Sequence, residues 1–444
     1  MRIMRIMSRP RRTRIMRPEP LQPLEGKVTA PINIWSTYGL AANPFFQEEL
    51  RSDPAAFYPI TLHVGREDEL RLAARQLGGG PSSRIVVEGA PGIGKTSFVN
   101  KLKAELSSAG MLTHAEPVRI VADSTVLSFV ADVLRVLLRV RSAALLPVDA
   151  FWTRTARLVE GEDTMAGGVT LGPVGVSFQG GRVPAEAPLG TLYEVVAEGV
   201  DRLARELSTG ILLHVNNLEN LSESEASQAS RLMRDLRDFL LLPGAHWIFA
   251  GASGVDDTVF RAYDQVAGIF PEPIVLNALT QAEVSELIRR RYAFLTVNRT
   301  AMVPPVDPEV AAGLYQLYQG DLRNFLRLLS DAAALALGVE GIEPMTSERI
   351  VAVAAPRYAK SIERRIGAAD MAYLSQAVRK SMGGEVNVTA IAQTTGLGQS
   401  GASRLMSRLR ESGLVVQSRT EGKRVFYRPA GQVLIALGIP PGAD

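Results

Sequence analysis

The sequence predicts an α/β protein in which a parallel sheet is followed by a helical unit and then by a basic unit of helices and two strands. Short β-branched runs alternate with helical patterns over the first 277 residues, which is typical of a parallel sheet covered by helices. The glycine-rich loop GAPGIGKT (89–96) directly follows the first of these runs. After residue 277 only helical periodicity remains, until a strand pair near residue 420.

Composition limits the classes of function. The chain has 444 residues, which is enough for two or three domains. It contains no cysteine, so disulfides, thiolate metal sites and cysteine nucleophiles are excluded. Its four histidines show no ligand spacing, and its longest apolar stretch is interrupted by Asp132 and Arg135. We therefore expect a cytoplasmic protein without membrane contact.

Net positive charge is concentrated at the two ends of the chain. Residues 1–30 contain eight Lys or Arg against two Asp or Glu, and residues 367–444 contain nine against five. Basic ends are typical of contact with phosphate backbones. We interpret 1–30 as a disordered basic tail, with opportunistic nucleic-acid binding as the second interpretation and a targeting peptide as the weakest.

The elements of the sheet domain follow in order. A strand at 85–89 leads through the glycine-rich loop into a helix, and a second strand and helix follow from residue 117. Three further strands complete the predicted sheet, at 211–215, 246–251 and 273–277. Residues 142–189 form an irregular insertion in which GGVTLGPVGVSFQGG predicts a β-hairpin. Because it carries few charges, a solvent-facing insertion is favoured over a DNA-contacting hairpin.

The loop at 89–96 matches G-x-x-x-x-G-K-[ST] and lies between a predicted strand and a predicted helix, as a phosphate-binding loop requires. Backbone N–H groups would wrap the phosphates, and the helix N-terminus would add its positive end. Lys95 would reach the β- and γ-phosphates, and Thr96 would bind Mg²⁺. The predicted nucleotide-binding residues here are Gly89, Ala90, Pro91, Gly92, Ile93, Gly94, Lys95, Thr96 and Ser97.

Three motifs together suggest a family. HVGREDEL, then GAPGIGKT, then a helical unit containing GDLR resembles the AAA+ ATPases, most of all the origin-recognition initiator branch and the bacterial ATPases similar to it. The resemblance covers about 31–355. It implies a P-loop AAA+ core over 31–277 and a helical lid over 278–355. It also implies ATP and Mg²⁺ as ligands.

The resemblance also implies roles for residues outside the loop. Val64 and Gly65 would lie beside adenine, and Ser253 would be the polar sensor near the γ-phosphate. Arg323 of GDLR would reach the γ-phosphate from the lid. Arg261 would be a finger acting on a neighbouring subunit, which would make the protein a homo-oligomer. The alternatives are a loop serine and two arginines on solvated helix faces.

The third long strand ends in ILLHVNNLEN, where the family carries two acids. Asn216 takes the place of the first acid and Asn217 that of the second. Asn216 can accept a hydrogen bond from a Mg²⁺-bound water, but an asparagine cannot take up a proton as a general base. Glu219 and Glu88 are the nearest replacement carboxylates, although the interpretation of Glu219 as a surface acid that starts the acidic stretch ENLSESE is favoured. The sequence thus favours a switch or clamp with slow hydrolysis, with a DNA-stimulated ATPase as the alternative.

A linker is expected near 355–367, followed by a final domain over 368–444. VTAIAQTTGLGQSGASRLMSRLRESGLV predicts two helices, the second burying Leu405, Leu409 and Leu414, and SRTEGKRVFYR predicts two strands. The stretch 370–430 looks like a winged helix-turn-helix of the MarR-like kind, which implies binding to double-stranded DNA. The residues expected to contact DNA are Ser400, Ser403, Arg404, Arg408, Arg419, Lys423 and Arg424.

The biological process stays open at this stage. Replication initiation, mobile-element transfer, transcriptional control and phage defence all use such parts. A transcription regulator that senses nucleotide without turnover is one rival. An adaptor whose winged helix binds another protein is another, because winged helices also serve as protein-interaction modules.

Overall fold

The structure is a computed structural model that describes residues 33–53, 56–121, 123–160, 188–207, 210–219, 221–297, 302–336, 343–422 and 424–439. The predicted basic tail and the hairpin predicted around Gly172 lie outside the described residues. Within the described part of the chain, no helix is long and apolar enough to cross a membrane.

A five-stranded parallel sheet forms the centre of the first domain. Its strands are β1 (Arg84–Glu88), β2 (Val118–Arg119), β3 (Ile211–Leu218), β4 (Ala245–Gly251) and β5 (Ile274–Val275), in the order β2-β3-β4-β1-β5. The predicted α/β class with a parallel sheet is confirmed. The two edge strands are only two residues long, shorter than predicted, because an edge strand pairs on one side only.

Helices cover both faces of the sheet. They are α1 (Glu67–Leu77), α2 (Lys95–Ser108), α3 (Val126–Ala143), α4 (Ala150–Glu160), α5 (Leu189–Leu207), α6 (Glu223–Asp235) and α7 (Asp264–Ala267). Alternate residues of a strand point to opposite faces, so Leu212 packs with α1 and α2 while Leu213 packs with α3 and α5. Helix α4 occupies part of the 142–189 region that was predicted to be irregular.

A helical unit follows the sheet. It consists of α8 (Gln281–Leu295), α9 (Pro308–Tyr315), α10 (Leu322–Ala336) and α11 (Ser347–Ile366). Residues 355–366, predicted as a linker, are the second half of α11, which continues through Pro356. We refer to α8–α11 as the lid.

The C-terminal unit, 368–439, contains α12 (Ala368–Lys380), α13 (Val388–Thr395), α14 (Gln399–Glu411), β6 (Val415–Glu421), β7 (Arg424–Pro429) and α15 (Gly431–Ala436). β6 and β7 form an antiparallel pair. Leu405, Leu409 and Leu414 are buried as predicted, although Leu414 lies just beyond the end of α14. Helices followed by a small antiparallel sheet are compatible with a winged helix.

The lid and the C-terminal unit share one hydrophobic core. A single cluster of buried side chains runs from Leu328 in the lid through Ile362 in α11 to Leu434 in α15. At the junction, a Cβ added to Gly431 would lie 2.8 Å from the ring of Tyr318. The lid and the C-terminal unit therefore form one packed body.

Candidate functional site

The glycine-rich loop lies where the sequence places it, between β1 and α2. Gly92 has φ +80° and Gly94 has φ +100°, a backbone conformation that side chains other than glycine rarely adopt. Helix α2 begins at Lys95, immediately after this turn, so its positive end faces the loop. This is the arrangement that a phosphate-binding loop requires.

Lys95 is buried at the base of the loop. Its Nζ donates to the carbonyl oxygens of Gly89 (2.9 Å) and Ala90 (3.1 Å), and it lies 3.3 Å from Oε1 of Glu219. Burial lowers the pKa of Lys95, and the Glu219 carboxylate opposes that shift. The structure thus brings Glu219 to the loop, although its sequence context also suits a surface acid.

A β-bulge explains how Glu219 arrives there. Val215 pairs with Phe249 and Leu218 pairs with Gly251, so two residues of β3 stand opposite one residue of β4. The two residues of β3 that stand opposite the single residue Ala250 of β4 are Asn216 and Asn217. Asn217 has φ +78°, which asparagine tolerates better than most residues. The bulge adds one residue to the strand, and Glu219 is the first carboxylate beyond it.

The amide groups of both asparagines bind backbone. Oδ1 of Asn216 accepts from the N–H of Asn217 (2.8 Å), and Nδ2 of Asn217 donates to the carbonyl of Ile120 (2.8 Å). These bonds fix the bulge and link β3 to the end of β2. The bond to Asn216 uses one of the two lone pairs of its amide oxygen, so the role predicted for Asn216, accepting from a Mg²⁺-bound water, would use the other.

Glu88, the other carboxylate considered, binds the segment that follows β4. Its Oε2 accepts from the backbone N–H groups of Gly254 (3.1 Å) and Asp256 (3.4 Å). It therefore holds the segment after β4, which carries the exposed Ser253.

Arg261 also lies after β4, and it binds carboxylates of its own domain. Its guanidinium forms ion pairs with the buried Asp256 and with Glu272 (3.3 Å). Burial raises the pKa of Asp256, and the adjacent Arg261 opposes this shift. A role on a neighbouring subunit would require Arg261 to leave these partners.

The lid contacts the loop through the start of α10. A Cβ added to Gly92 would overlap the carboxylate of Asp321 and would lie 3.4 Å from Cβ of Arg323. The positive charge of Arg323 further lowers the pKa of Lys95, after the larger effects of burial and Glu219. The structure therefore brings Arg323 near Lys95 and the loop, and its reach to a γ-phosphate stays a prediction.

Arg66 is a residue of this site that sequence reasoning missed. It is buried, has φ +67°, and its Nη2 donates to the carbonyl of Ile93 in the loop (2.9 Å). Burial lowers its pKa, while Glu69, Tyr315 and Glu283 oppose that shift. The motif HVGREDEL contains Arg66, but only its Val64 and Gly65 were predicted to contact the nucleotide.

Val64 and Gly65, predicted to lie beside adenine, are at the junction of core and lid. Val64 is buried in the cluster that belongs to the lid, and a Cβ on Gly65 would overlap the Glu283 side chain at the start of α8. The core, the loop and the lid therefore meet at residues 64–66.

The oxygen atoms near the loop fit Mg²⁺ held jointly with a phosphate group. Thr96 is half-buried in the first turn of α2, and Glu219 supplies a carboxylate beside Lys95. Mg²⁺ prefers oxygen ligands and commonly uses one or two side chains together with substrate phosphates. Among the described residues, no group of three or more His, Asp or Glu side chains could hold a metal by itself.

The C-terminal unit presents α14 to solvent. Ser400, Ser403 and Arg404 are exposed, and so is Arg424 on β7. Arg408 is also exposed, but Asp370 of α12 binds its guanidinium at 2.7 and 2.9 Å. The residues predicted to contact DNA from the strand pair likewise include an arginine that is bound to a carboxylate.

On the strand pair, Arg419 binds Glu385 (2.7 Å) and lies over the ring of Phe426 at 4.2 Å. Lys423, the last residue predicted to contact DNA, is outside the described residues. Among the predicted arginines, Arg404 and Arg424 are exposed, whereas Arg408 and Arg419 are bound to carboxylates.

Comparisons with known proteins agree with the first domain. Residues 63–246 match the family model of the AAA ATPase domain. No curated protein matches the sequence.

Among solved structures, the Aeropyrum pernix ORC1 protein in complex with DNA is 16% identical with a TM-score of 0.43, over 91% of this chain and 96% of that one. The Aeropyrum pernix ORC2 protein in its ADP form is 17% identical with a TM-score of 0.43, over 89% and 96%. A mutant of Thermotoga maritima RuvB is 13% identical with a TM-score of 0.36, over 82% and 92%.

The sheet order, the glycine-rich loop and the matched range agree with one another. The predicted fold class, an AAA+ parallel-sheet core, is therefore confirmed, and residues 63–246 are similar to the AAA ATPase domain; we refer to this part as the AAA domain.

Proposed function

We propose that this protein binds ATP with Mg²⁺ in the loop at 89–96, binds duplex DNA through its C-terminal unit, and acts as a nucleotide-controlled switch with slow hydrolysis. The observation that carries the proposal is the meeting of three parts at one place. The loop, Glu219 after β3 and Arg323 of the lid all lie around Lys95.

Each residue has a defined task in this proposal. The loop N–H groups and Lys95 bind phosphate oxygens, and Thr96 with Glu219 would hold Mg²⁺, which neutralises phosphate charge when bound. Arg323 binds the terminal phosphate and so detects a triphosphate from the lid. Ser253 lies in the segment after β4 that Glu88 binds. It would be the polar sensor near the γ-phosphate.

Slow turnover is expected from the two asparagines of the bulge. The two side chains that replace the family's acids are amides, and both are hydrogen-bonded to backbone. Glu219 remains as the carboxylate at the site, and its charge is shared with Lys95. Neither amide can take up a proton from water, so these two positions supply no general base.

DNA binding is proposed for the C-terminal unit as a winged helix. Helix α14 would enter the major groove with its exposed serines and Arg404, and the β6–β7 wing would contact phosphates through Arg424 and Lys423. Because the lid and this unit share a core, a lid that closes on ATP moves α14 with it. That is the physical basis of the proposed switch.

The first experiment measures ATP binding and ATP turnover by the purified protein, with and without duplex DNA. We expect the wild type to bind ATP and to hydrolyse it slowly. Lys95→Ala should abolish binding, because it removes the cation at the base of the loop. Retained ATP affinity in Lys95→Ala would refute the assignment of the loop.

Glu219→Gln separates binding from turnover. It should retain ATP binding and lower the residual rate by on the order of a hundredfold, since it removes the carboxylate beside Lys95. Glu105→Gln, at an exposed ion pair on the same helix as Lys95, is the control and should leave the rate unchanged. An unaltered rate in Glu219→Gln would exclude Glu219 as the catalytic carboxylate.

A second candidate function is an active DNA-stimulated ATPase. The contact between Glu219 and Lys95 favours it, because a carboxylate is in place for catalysis. Turnover that rises strongly on adding duplex DNA and is lost in Glu219→Gln would establish this candidate in place of the slow switch.

A further inference from the structure

Two carboxylates in the C-terminal unit hold arginines that face solvent. Asp370, in the first turn of α12, accepts two hydrogen bonds from Arg408 of α14, through Nε at 2.7 Å and Nη2 at 2.9 Å. This is the two-point geometry in which a guanidinium also binds phosphate. Arg408 is 52% exposed while Asp370 is 14% exposed, so solvent reaches the arginine more readily than its partner.

Glu385 makes the equivalent arrangement at the strand pair. Its Oε2 binds Arg419 of β6 at 2.7 Å, and its Oε1 binds Arg428 of β7 at 3.2 Å. The two arginines are about half exposed, whereas Glu385 is 18% exposed. Arg419 also forms an ion pair with Glu421, so the recessed Glu385 shares Arg419 and holds Arg428 by itself.

Arg404 and Arg424 differ from these three. Both are exposed on the same elements, α14 and β7, and the structure shows neither in an ion pair with a described residue. The basic surface of the C-terminal unit thus consists of available arginines beside arginines that are already bound.

We propose that Asp370 and Glu385 set the DNA specificity of the C-terminal unit by occupying Arg408, Arg419 and Arg428 until DNA phosphates displace them. The inference rests on the proposed DNA binding. A phosphate placed at random on the surface meets exposed cations that no described carboxylate holds, such as Arg404, Arg410 and Arg424. Only a duplex seated in full register offers phosphates close enough to replace a recessed carboxylate, so non-specific binding is weakened more than specific binding.

The competition has a measurable signature in salt dependence. Each phosphate neutralised by an arginine contributes about −0.9 to the slope of log affinity against log salt concentration on duplex DNA. Removing the competing charge in Asp370→Asn should therefore strengthen binding to a duplex of random sequence at low salt and make the slope steeper by about 0.9. That slope corresponds to an additional loss of roughly 3.5-fold between about 50 and 200 mM salt.

Glu385→Gln is the second variant and frees Arg428, while Arg419 keeps its ion pair with Glu421. Its slope should steepen by about 0.9, as in Asp370→Asn. Asp201→Asn is the charge-matched control, because it frees Arg205 on α5 of the AAA domain and changes net charge equally. The control should leave the slope unchanged.

The double variant Asp370→Asn with Arg408→Ala identifies the arginine responsible. The gain in affinity should disappear, since the freed guanidinium is absent. A gain that persists in the double variant, or slopes equal to that of the wild type in both single variants, would overturn the inference. So would weaker binding in both single variants with unfolding midpoints like that of the wild type, since Asp370 and Glu385 would then be braces for the DNA-binding surface.

Failure of the proposed DNA binding has a different pattern. If that proposal is wrong, Arg404→Ala leaves duplex binding unchanged and neither carboxylate variant gains affinity over the Asp201→Asn control. If only the present inference is wrong, Arg404→Ala weakens binding while the carboxylate variants keep the wild-type slope.

Discussion

Single residues show where sequence patterns are sufficient and where they are not. Gly92, Gly94 and Lys95 were identified from spacing alone, because phosphate binding requires those residue types in that order. The position of Glu219 could not be identified in this way. A β-bulge adds one residue without changing the apolar pattern of the strand, so only the pairing of Leu218 with Gly251 shows the shift. Arg66 was missed because a charged side chain after glycine suggests an exposed turn.

At the residue scale we also predict an acid-sensitive stability. His114 is buried, its Nε2 accepts from the N–H of His214 (2.8 Å), and its Nδ1 donates to the carbonyl of Glu116. Burial lowers its pKa to about 3, against about 6.5 in an unfolded chain. Between these values the unfolded chain takes up a proton that the folded protein does not, so stability is complete above about pH 6.5 and is lost as the pH falls.

The measurement is the free energy of unfolding in urea between pH 7.5 and 4. We expect His114 to contribute a slope of at most about 1.4 kcal/mol per pH unit below pH 6.5. His114→Gln, which cannot titrate, should have a shallower slope. Buried His214 and the lowered pKa of His63, about 4, account for the slope that remains. An unchanged slope in His114→Gln would contradict the assignment.

Elements were predicted well where periodicity decides and less well where tertiary contacts do. Strands β1 and β4 lie within one residue of their predicted positions, and β3 continues three residues beyond its predicted end. Each could be located because it is a continuous apolar run. A linker was predicted near 355–367, where the structure has the second half of α11, although a proline such as Pro356 commonly breaks a helix. The helix continues because Ile350 and Ile362, on either side of the proline, are both buried in the shared core.

The contact between α15 and the lid gives a prediction at this scale. Gly431→Ala would place a Cβ 2.8 Å from the Tyr318 ring and 2.9 Å from the carbonyl oxygen of Leu317. Since backbone cannot move aside easily, we expect a loss of about 1–3 kcal/mol in unfolding free energy, typical of overpacking. Gly313→Ala is the control in α9, where no atom lies within 4 Å of the added Cβ. Equal stability of both variants would argue against tight packing at this junction.

At the scale of the whole molecule, the described residues form two packed bodies that meet at the glycine-rich loop. One is the AAA domain around the parallel sheet, and the other is the lid with the C-terminal unit. The sequence predicted three folded parts, since it shows helical periodicity but not which apolar faces share a core. The contacts of Gly92 with the start of α10 and of Arg66 with Ile93 connect the two bodies.

We expect ATP to change the distance between the bodies and not the distance within the second one. The chain has no cysteine, so pairs of spin labels can be placed at exposed Arg205, Leu335 and Met382. The distance from Leu335 to Met382 should stay constant on adding ATP, because both lie in the shared-core body. The distance from Arg205 to Met382 should change. A change between Leu335 and Met382 would show that the C-terminal unit moves independently of the lid.

The core shared by the lid and the C-terminal unit has a consequence for how the chain can be divided or recombined. Cutting after residue 366 would strip Val433, Leu434 and Ile435 from the lid and expose the apolar surface around Leu317 and Tyr318. A truncated chain would therefore tend to aggregate, and its loss of ATP binding would report a damaged lid instead of a missing DNA signal. For the same reason the C-terminal unit is not an interchangeable module: a chimera with another C-terminal domain has to supply a surface that matches α15, or it loses the proposed coupling between the loop and the C-terminal unit.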